Sequence, residues 1–187
     1  MMHEVKDAAA LIIRCFEGGG KLLLCGNGGS ACDCAHIAGE LIKGFLKKRP
    51  LDAPLQEKIG EPFAMEMQMG LPAIDLTAQS GLVTAVINDL GGDNVYAQQV
   101  MALGKPGDVL LGISTSGNAE NVRRALVTAK ALGLATVGMT GGTGGKMPPL
   151  CDVLLQSPEA ETYKVQEDHI KMYHRLCILI EEHFFSV

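Results

Sequence analysis

A glycine-rich turn followed by a histidine and a glutamate is the first place in this chain where chemistry could occur. The stretch from Leu22 to Glu40 has the sequence LLLCGNGGSACDCAHIAGE, which is typical of an apolar strand, a turn and a helix. Positions four residues apart are neighbours on a helix surface, so His36 and Glu40 can converge on one point. The turn and the helix N-terminus suit a phosphate, because free backbone N–H groups and the positive end of the helix dipole face outward there. This stretch predicts an anionic small-molecule site with a metal or an acid–base pair beside it.

A second polar loop follows another apolar run. Residues 112–118 have the sequence Gly-Ile-Ser-Thr-Ser-Gly-Asn, and a helix is expected directly after them. Hydroxyls and free N–H groups at the carboxyl end of a strand can hold a phosphate, at the edge where open α/β sheets bind ligands. An ordinary helix cap is the alternative. Two such loops, after Leu24 and after Ile113, favour the ligand, and neither matches a Walker or a dinucleotide-binding pattern.

A third group of polar residues begins the last expected helix. Residues 165–174 have the sequence VQEDHIKMYH. Gln166 and His174 lie about 12 Å apart along a helix axis and about 80° apart around it. Both reach one metal ion only if their side chains lean toward each other, or they belong to sites in different subunits of an oligomer. A lone histidine on a helix is more often packed or solvated than functional, so the spacing alone does not assign His174 a role.

Short apolar runs of strand length, most of them separated by stretches of helical length, predict the fold. Several are apolar throughout, as expected of strands buried on both faces of a parallel sheet. We expect one doubly wound α/β domain over residues 1–187, with about five parallel strands and helices on both sides. The expected strands are Lys21–Cys25, Ala73–Thr77, Asp108–Ile113, Ala135–Met139 and Asp152–Gln156. The glycine-rich run at 141–146 is expected to be a flexible turn rather than a site.

Three segments lie outside this alternation. Helices are expected at Val5–Phe16 and at about Thr162–Phe185, and the second has apolar residues around most of its surface. Such a helix needs a further partner surface, which a homo-oligomer would provide. Between Lys47 and Gly70 the chain contains several prolines, is charged at first and then alternates as Met-Glu-Met-Gln-Met. This segment is either a surface excursion whose methionines pack on the domain or on a neighbouring subunit, or a flap over the site.

Charge and composition narrow the classes of function. The 187-residue chain has a formal net charge of −5, and its densest basic run, Lys47-Lys48-Arg49, ends at a proline without aromatic residues between the charges. This pattern disfavours a nucleic-acid partner. No apolar run approaches the roughly 18 residues that span a bilayer, and the N-terminus lacks the apolar core of a signal peptide, so we expect a cytoplasmic protein without a membrane partner. The six cysteines include no Cys-x-x-Cys pair, which disfavours a disulfide scaffold or a thiolate zinc site.

The order of the motifs resembles the sugar isomerase (SIS) fold, and specifically the phosphoheptose isomerases. The motifs are Gly-Asn-Gly-Gly-Ser, His36-x-x-x-Glu40, Asn88-Asp89, Gly-Ile-Ser-Thr-Ser-Gly-Asn, Gln166-Glu167 and His174. They cover nearly the whole chain except the segment from Lys47 to Gly70, which is longer than the corresponding stretch of the better-known members. The resemblance implies that the serine loop holds a phosphate. The implied substrate-binding residues are Asn27, Gly28, Gly29, Glu40, Asn88, Asp89, Ser114, Thr115, Ser116 and Gln166.

The resemblance also implies a zinc ion, one in each subunit. Its implied ligands are His36, Glu40, Gln166 and His174, and it assigns proton transfer to Glu40 and His174. Nitrogen and oxygen donors without a thiolate suit zinc, while manganese, iron and nickel stay open.

The activity implied by the resemblance is aldose–ketose isomerisation through an enediol. Sedoheptulose 7-phosphate would become D-glycero-D-manno-heptose 7-phosphate for heptose, lipopolysaccharide and other surface glycans, in a homotetramer with sites near subunit interfaces. One departure is Ala119, which stands where members commonly have a further phosphate-binding serine. The alternatives are an isomerase of another phosphosugar and a non-catalytic module that binds a phosphosugar or a protein.

Overall fold

The apolar runs form one parallel sheet with the strand order β2-β1-β3-β4-β5. The computed structural model describes residues 2–185, so residues 1, 186 and 187 of the expected domain lie outside the described residues. The strands are β1 (Leu22–Gly26), β2 (Ala73–Asp75), β3 (Val109–Ser114), β4 (Ala135–Thr140) and β5 (Val153–Gln156). All five expected strands are confirmed, each to within two residues at either end.

Helices connect the strands and cover both faces of the sheet, which confirms the doubly wound α/β fold. The α-helices are α1 (Met2–Glu17), α2 (Gly29–Ile42), α3 (Ala53–Ile59), α4 (Phe63–Glu66), α5 (Ser80–Leu90), α6 (Val95–Leu103), α7 (Glu120–Ala131) and α8 (Thr162–Phe184). The two long helices expected at the ends of the chain are therefore present. None of the helices between residues 2 and 185 combines the length and the apolar character needed to cross a membrane.

Alternate residues of the central strands supply two cores. Leu22 and Leu24 of β1 point to the face covered by α1, α2 and α8, while Leu23 points to the face covered by α5, α6 and α7. This alternation is the two-residue period of a strand, and both sets are buried because helices lie on both sides. All residues of β1 and β3 are buried, which is why their sequences are apolar throughout.

The carboxyl ends of β1 and β3 lie side by side. The two strands pair in parallel with Gly26 opposite Ile113, and the chain leaves β1 toward β2 on one side of the sheet and returns to β3 on the other. Ligands of open α/β sheets bind where the strand order reverses in this way. The two polar loops that follow β1 and β3 are consequently neighbours.

The segment from Lys47 to Gly70 lies outside the sheet and contains the short helices α3 and α4. It is closed at its base, where the Met69 amide donates to the Arg49 carbonyl at 2.7 Å. Met65 and Met67 are 70% and 51% exposed. The expectation that the methionines pack on the domain therefore fails for these two, and packing on a neighbouring subunit stays a prediction.

Candidate functional site

The two polar loops together line a cavity of about 200 Å³. Its lining residues are Asn27, Ser30, Ile113, Ser114, Thr115, Ser116 and Ala119. Ser114 is buried, Thr115 is half-buried and Ser116 is exposed, so solvent exposure increases along the loop away from the sheet. Ala119 supplies only a methyl group to this wall. The cavity has the donors and the position that a bound phosphate requires.

The glycine-rich run at 141–146 supports the serine loop from behind. The Gly141 amide donates to the Thr115 carbonyl, and the Lys146 amide donates to the Gly117 carbonyl, both at 2.9 Å. A side chain at Gly117, whose φ is +64°, would overlap the backbone of Gly144. The run is a turn, as expected, but its backbone is hydrogen-bonded to the serine loop and packed against it.

An amide pair joins the two loops of the cavity. The Asn27 and Asn121 side chains each donate to the other at 2.9 Å, and the Tyr96 hydroxyl lies 3.1 Å from Asn27 Oδ1. The Tyr96 hydroxyl also lies 2.5 Å from the Gly26 carbonyl oxygen. Sequence reasoning missed Asn121 and Tyr96 as supports of the cavity. The only sequence signal was that Asn121 stands in the first turn of the helix after the serine loop.

The glycine turn after β1 touches the last helix. Gly28 adopts a φ of +58°, which favours glycine, and Gly29 begins α2. A Cβ atom at Gly29 would overlap the side-chain amide of Gln166. The structure therefore places Gln166 directly against the turn that contains the predicted sugar contacts.

His36, Glu40 and His174 form a second group farther along α2. His36 Nε2 lies 3.1 Å from Glu40 Oε1, and the rings of His36 and His174 meet edge-on with 5.0 Å between their centroids. The other carboxylate oxygen of Glu40 accepts from Lys43 Nζ at 3.2 Å. His174 Nε2 is buried and has no hydrogen-bond partner among residues 2–185. This group thus contains a carboxylate, two imidazoles and a buried imidazole nitrogen without a partner in the described chain.

The four predicted metal ligands lie at two different positions along the packed helices α2 and α8. Gln166 lies against Gly29 and His174 lies against His36, and Gly29 and His36 are about 10 Å apart along α2. In the described chain, no set of three or more His, Cys, Asp or Glu side chains is close enough to hold a metal ion. The donor chemistry nevertheless fits one, because His174 Nε2 lacks a partner and His36 Nε2 lies close to a carboxylate oxygen. Gln166 lies beside Gly29 and is therefore separated from these two nitrogens along α2.

Asn88 and Asp89 lie on a different surface. Both are exposed residues of α5, and the Asn88 amide donates to the Asp89 carboxylate at 2.7 Å. Only Val86 of this helix is buried. In the single chain, Asn88 and Asp89 therefore lie on an exposed helix and not in the cavity between the two polar loops.

Tyr173 and Asp33 are polar residues beside the second group that sequence reasoning missed. The Tyr173 hydroxyl lies 2.9 Å from His36 Nδ1, and both Tyr173 and Asp33 are buried. Burial raises the pKa of Asp33, although the Tyr173 hydroxyl stabilises its ionised form. Burial and the neighbouring Asp33 carboxylate raise the pKa of Tyr173. The only sequence signal was the position of Asp33 one helical turn before His36.

A buried ion pair holds the end of α2. Arg49 donates to the carbonyl oxygens of Leu41 at 2.7 Å and Glu40 at 3.0 Å, and it pairs with Glu181 of α8. Glu181 also accepts from the amide of Phe45 at 2.8 Å, and the Phe45 ring lies 5.5 Å from that of His174. Arg49, which the sequence presents as part of a basic run, is thus a support for the group that contains Glu40.

Known proteins resemble this chain over nearly its whole length. Residues 1–61 and 59–141 match the family model described as the SIS domain. The chain is 42% identical over 186 residues to a phosphoheptose isomerase of Burkholderia pseudomallei, and this match covers 100% of the chain and 85% of that protein. The solved structure of phosphoheptose isomerase GmhA from Neisseria gonorrhoeae is 37% identical with a TM-score of 0.81, over 96% of this chain and 86% of that one. A phosphoheptose isomerase structure from Francisella tularensis is 34% identical with a TM-score of 0.82, over 96% and 85% of the two chains.

Proposed function

The chain belongs to the phosphoheptose isomerases of the SIS-domain family, and we propose that it converts sedoheptulose 7-phosphate to D-glycero-D-manno-heptose 7-phosphate. Such an aldose–ketose isomerisation moves a proton between neighbouring carbons through an enediol. It needs a base, an acid and a group that stabilises the developing oxyanion. The observation that carries the proposal is that His174 of α8 meets His36 and Glu40 of α2, the helix that begins at the cavity between the two polar loops.

The phosphate binds in the serine loop under this proposal. Ser114, Thr115 and Ser116 line the cavity with three hydroxyls, and the amide of Asn27 lines it from the other loop. Ser30, at the start of α2, also lines the cavity and lies about 9 Å along the helix from His36. An extended sugar phosphate anchored at the serine loop therefore reaches along α2 toward the acid–base group, past Gly28 and Gly29.

Glu40 and His174 exchange the protons. The carboxylate of Glu40 is held on both sides by His36 and Lys43, which fixes its orientation, and only 13% of its side chain is exposed. His174 Nε2 has no hydrogen-bond partner in residues 2–185, so this nitrogen can exchange a proton with a sugar oxygen without breaking an existing bond. One residue removes the proton from carbon, and the other exchanges a proton with the neighbouring oxygen.

We also propose that a zinc ion binds at this site, with His36, Glu40, Gln166 and His174 as ligands. The ion would supply Lewis-acid polarisation of the sugar oxygens. Support comes from the partnerless Nε2 of His174 and from the mixed nitrogen and oxygen donors. A nitrogen or carboxylate oxygen that binds the ion is not free to exchange a proton, so His174 and Glu40 each serve one of these two roles at a time. Because Gln166 lies beside Gly29 and is separated from the other ligands along α2, a complete donor set requires movement of its side chain or a second subunit.

A homotetramer in the cytoplasm, supplying heptose for lipopolysaccharide, completes the proposal. The exposed face of α5 supports the subunit contacts, since Leu82, Ile87 and Leu90 are between 39% and 50% exposed on one short helix. Asn88 and Asp89 lie on the same helix, so an interface there would bring them toward a neighbouring subunit's site.

The decisive experiment follows purified protein with sedoheptulose 7-phosphate by NMR, with and without added zinc. We expect the aldose to appear when zinc is added. We expect Glu40→Gln to abolish turnover while the fold is kept. Glu57→Gln, an exposed glutamate on α3, is the matched control and should turn over like the wild type. Turnover near the wild-type rate in Glu40→Gln would remove Glu40 from the mechanism.

Ala119 favours one alternative, an isomerase of a different phosphosugar. It lines the cavity with a methyl group, so the phosphate finds one hydroxyl fewer than a serine there would provide. A panel of ketose phosphates tested under the same conditions separates the two substrates, because the physiological one should give the highest kcat/KM.

A further inference from the structure

A hydrogen-bonded connection links α8 to the serine loop. His169 of α8 is fully buried, and its Nε2 lies 3.2 Å from the carbonyl oxygen of Thr140, the last residue of β4. That carbonyl belongs to the same peptide group as the Gly141 amide, which donates to the Thr115 carbonyl at 2.9 Å. A single peptide group therefore connects a side chain of the last helix with the backbone of the serine loop.

The partners fix the direction of the bond between His169 and Thr140. A carbonyl oxygen can only accept, so His169 Nε2 carries a proton and donates it. Burial lowers the pKa of His169, which favours the neutral ring with this single proton. His169 Nδ1 has no hydrogen-bond partner among residues 2–185. The opposite tautomer would set two acceptors against each other and leave a buried N–H unpaired, which is costly.

The connecting peptide is closely packed. A Cβ atom at Gly141 would lie 2.7 Å from the Thr115 carbonyl oxygen and 2.9 Å from the side chain of Val165, in the first turn of α8. Both distances are too short for a real Cβ contact, so the serine loop and α8 approach Gly141 as closely as a glycine permits. The position of each therefore limits the position of the other.

The last bond of the connection orients the peptide group between Thr115 and Ser116. This peptide is trans, so its N–H points in the direction opposite to its C=O. The Ser116 amide therefore points away from Gly141, and it has no hydrogen-bond partner in the part of the chain that the structure describes. Ser116 lines the cavity between the two polar loops. The connection thus ends at a backbone donor that is available to a bound anion.

We propose that His169 is a positioning residue, which holds the serine loop in its phosphate-binding orientation and at a fixed place relative to α8. The inference rests on the proposed function for its consequence in catalysis, because α8 also contributes Gln166 and His174. Packing of α8 on the sheet would account for a buried ring at this position. It does not account for a polar ring whose donor meets the peptide group that binds Thr115.

Calorimetry with inorganic phosphate tests this role without any turnover. His169→Phe keeps a ring and removes the donor, so we expect the affinity for phosphate to fall by about 2–13-fold, the effect of one lost hydrogen bond. His169→Gln should bind phosphate almost as well as the wild type, because its amide nitrogen can donate to the same carbonyl. Ile180→Val removes one methyl group from the buried side of α8 and is the control for destabilisation alone, with unchanged affinity.

Amide hydrogen exchange shows where each variant acts. In His169→Phe, the Gly141 amide should exchange faster relative to the amide of Val137, which lies inside β4. With sedoheptulose 7-phosphate, kcat/KM should fall by at least the factor seen for phosphate affinity, since a misplaced phosphate also misplaces the sugar at His174. His169→Gln should restore both measurements.

The outcomes separate a positioning role from a packing role. A proton on Nδ1 instead of Nε2 of His169 in the wild type, located by heteronuclear NMR, overturns the proposal even if the variants fail to fold. Unchanged phosphate affinity in a folded His169→Phe overturns it, as does an equal acceleration of exchange at Gly141 and Val137. An equal loss of affinity in His169→Phe and His169→Gln also overturns it, because the donor would then not matter.

The phosphate measurement also distinguishes this inference from the proposed function. A wild type that binds no phosphate overturns the positioning role. If the wild type binds phosphate and turns over no sugar phosphate, while the affinity still depends on the donor at position 169, the proposed function fails and the positioning role stands.

Discussion

Arg49 and Glu181 form an ion pair in which both side chains are shielded from water, with 2.8 Å between Arg49 Nη2 and Glu181 Oε1. The pair fastens the last helix to the carboxyl end of α2, because Arg49 also donates to the carbonyl oxygens of Glu40 and Leu41. A helix end normally leaves such oxygens without intrahelical partners. One arginine thus satisfies the end of the helix that contains Glu40 and neutralises a buried carboxylate.

Removing Arg49 should destabilise the protein strongly. Arg49→Met leaves the Glu181 charge buried without its partner and exposes two helix carbonyls to an apolar environment, so we expect the free energy of unfolding to fall by about 3–5 kcal/mol. Urea denaturation measures this change. Lys48→Met, at the exposed neighbouring position, should stay within about 0.5 kcal/mol of the wild type. A loss no larger in Arg49→Met than in Lys48→Met would show that the pair contributes little.

The same pair makes stability depend on pH. Burial raises the pKa of Glu181, but hydrogen bonds from the Phe45 and Leu46 amides and from Arg49 outweigh it and leave the pKa below the ordinary value of 4.5. In the acid range the unfolded chain therefore binds the proton more readily than the folded one. The contribution of Glu181 to stability is complete above the ordinary pKa and is lost as pH falls through the lower folded-state pKa.

Glu181→Gln tests this dependence because glutamine does not titrate. The difference in unfolding free energy between wild type and Glu181→Gln should be constant near neutrality and should shrink as the pH falls below the ordinary pKa of 4.5. Urea titrations at several pH values give the difference. A difference that grows as the solution becomes more acidic would contradict the direction of the pKa shift.

Gly29→Ala should separate activity from stability. The new methyl group overlaps the Gln166 amide, which is the free end of a flexible side chain, so the fold can adjust by moving Gln166 away. We expect kcat/KM to fall at least tenfold while thermal unfolding changes little.

Gly39→Ala is the matched control for this variant. A Cβ atom at Gly39, on the same helix, meets nothing within 4 Å. Alanine there should leave activity unchanged and raise stability by about 0.4–1 kcal/mol, because it restricts the unfolded chain. Equal activity in the two alanine variants would mean that the position of Gln166 does not matter for turnover.

Ala119→Ser should tighten phosphate binding. The new hydroxyl faces the cavity, and one hydrogen bond contributes about 0.5–1.5 kcal/mol, which corresponds to roughly 2–13-fold in affinity. Calorimetry with inorganic phosphate measures the change, and Ala131→Ser at the far end of α7 is the control. Unchanged affinity in Ala119→Ser would place the phosphate elsewhere.

Local patterns predicted the fold and, within the candidate site, the pairing of His36 with Glu40. The strands were found because β1 and β3 are buried on both faces and have continuous apolar sequences. His36 and Glu40 were found because their partner is four positions away. Residues whose partners are distant in sequence were missed: Tyr173 meets His36 across 137 positions, and Asn121 meets Asn27 across 94. Spacing rules for single helices and strands cannot detect such contacts, since only the packing of α8 and α7 on the sheet creates them.

The order of elements along the chain has a consequence for synthesis. All five strands precede α8, which contributes Gln166, Tyr173, His174 and Glu181 to the site and its support. Domains generally fold from the N-terminal side as the chain emerges from the ribosome, so the sheet and the cavity between its two polar loops can form before the group of His36, Glu40 and His174 is complete. A chain cut before residue 162 would retain every strand and the serine loop. It would have only His36 and Glu40 of the group on α2 and α8, and it would leave the apolar faces of α1 and α2 open to aggregation.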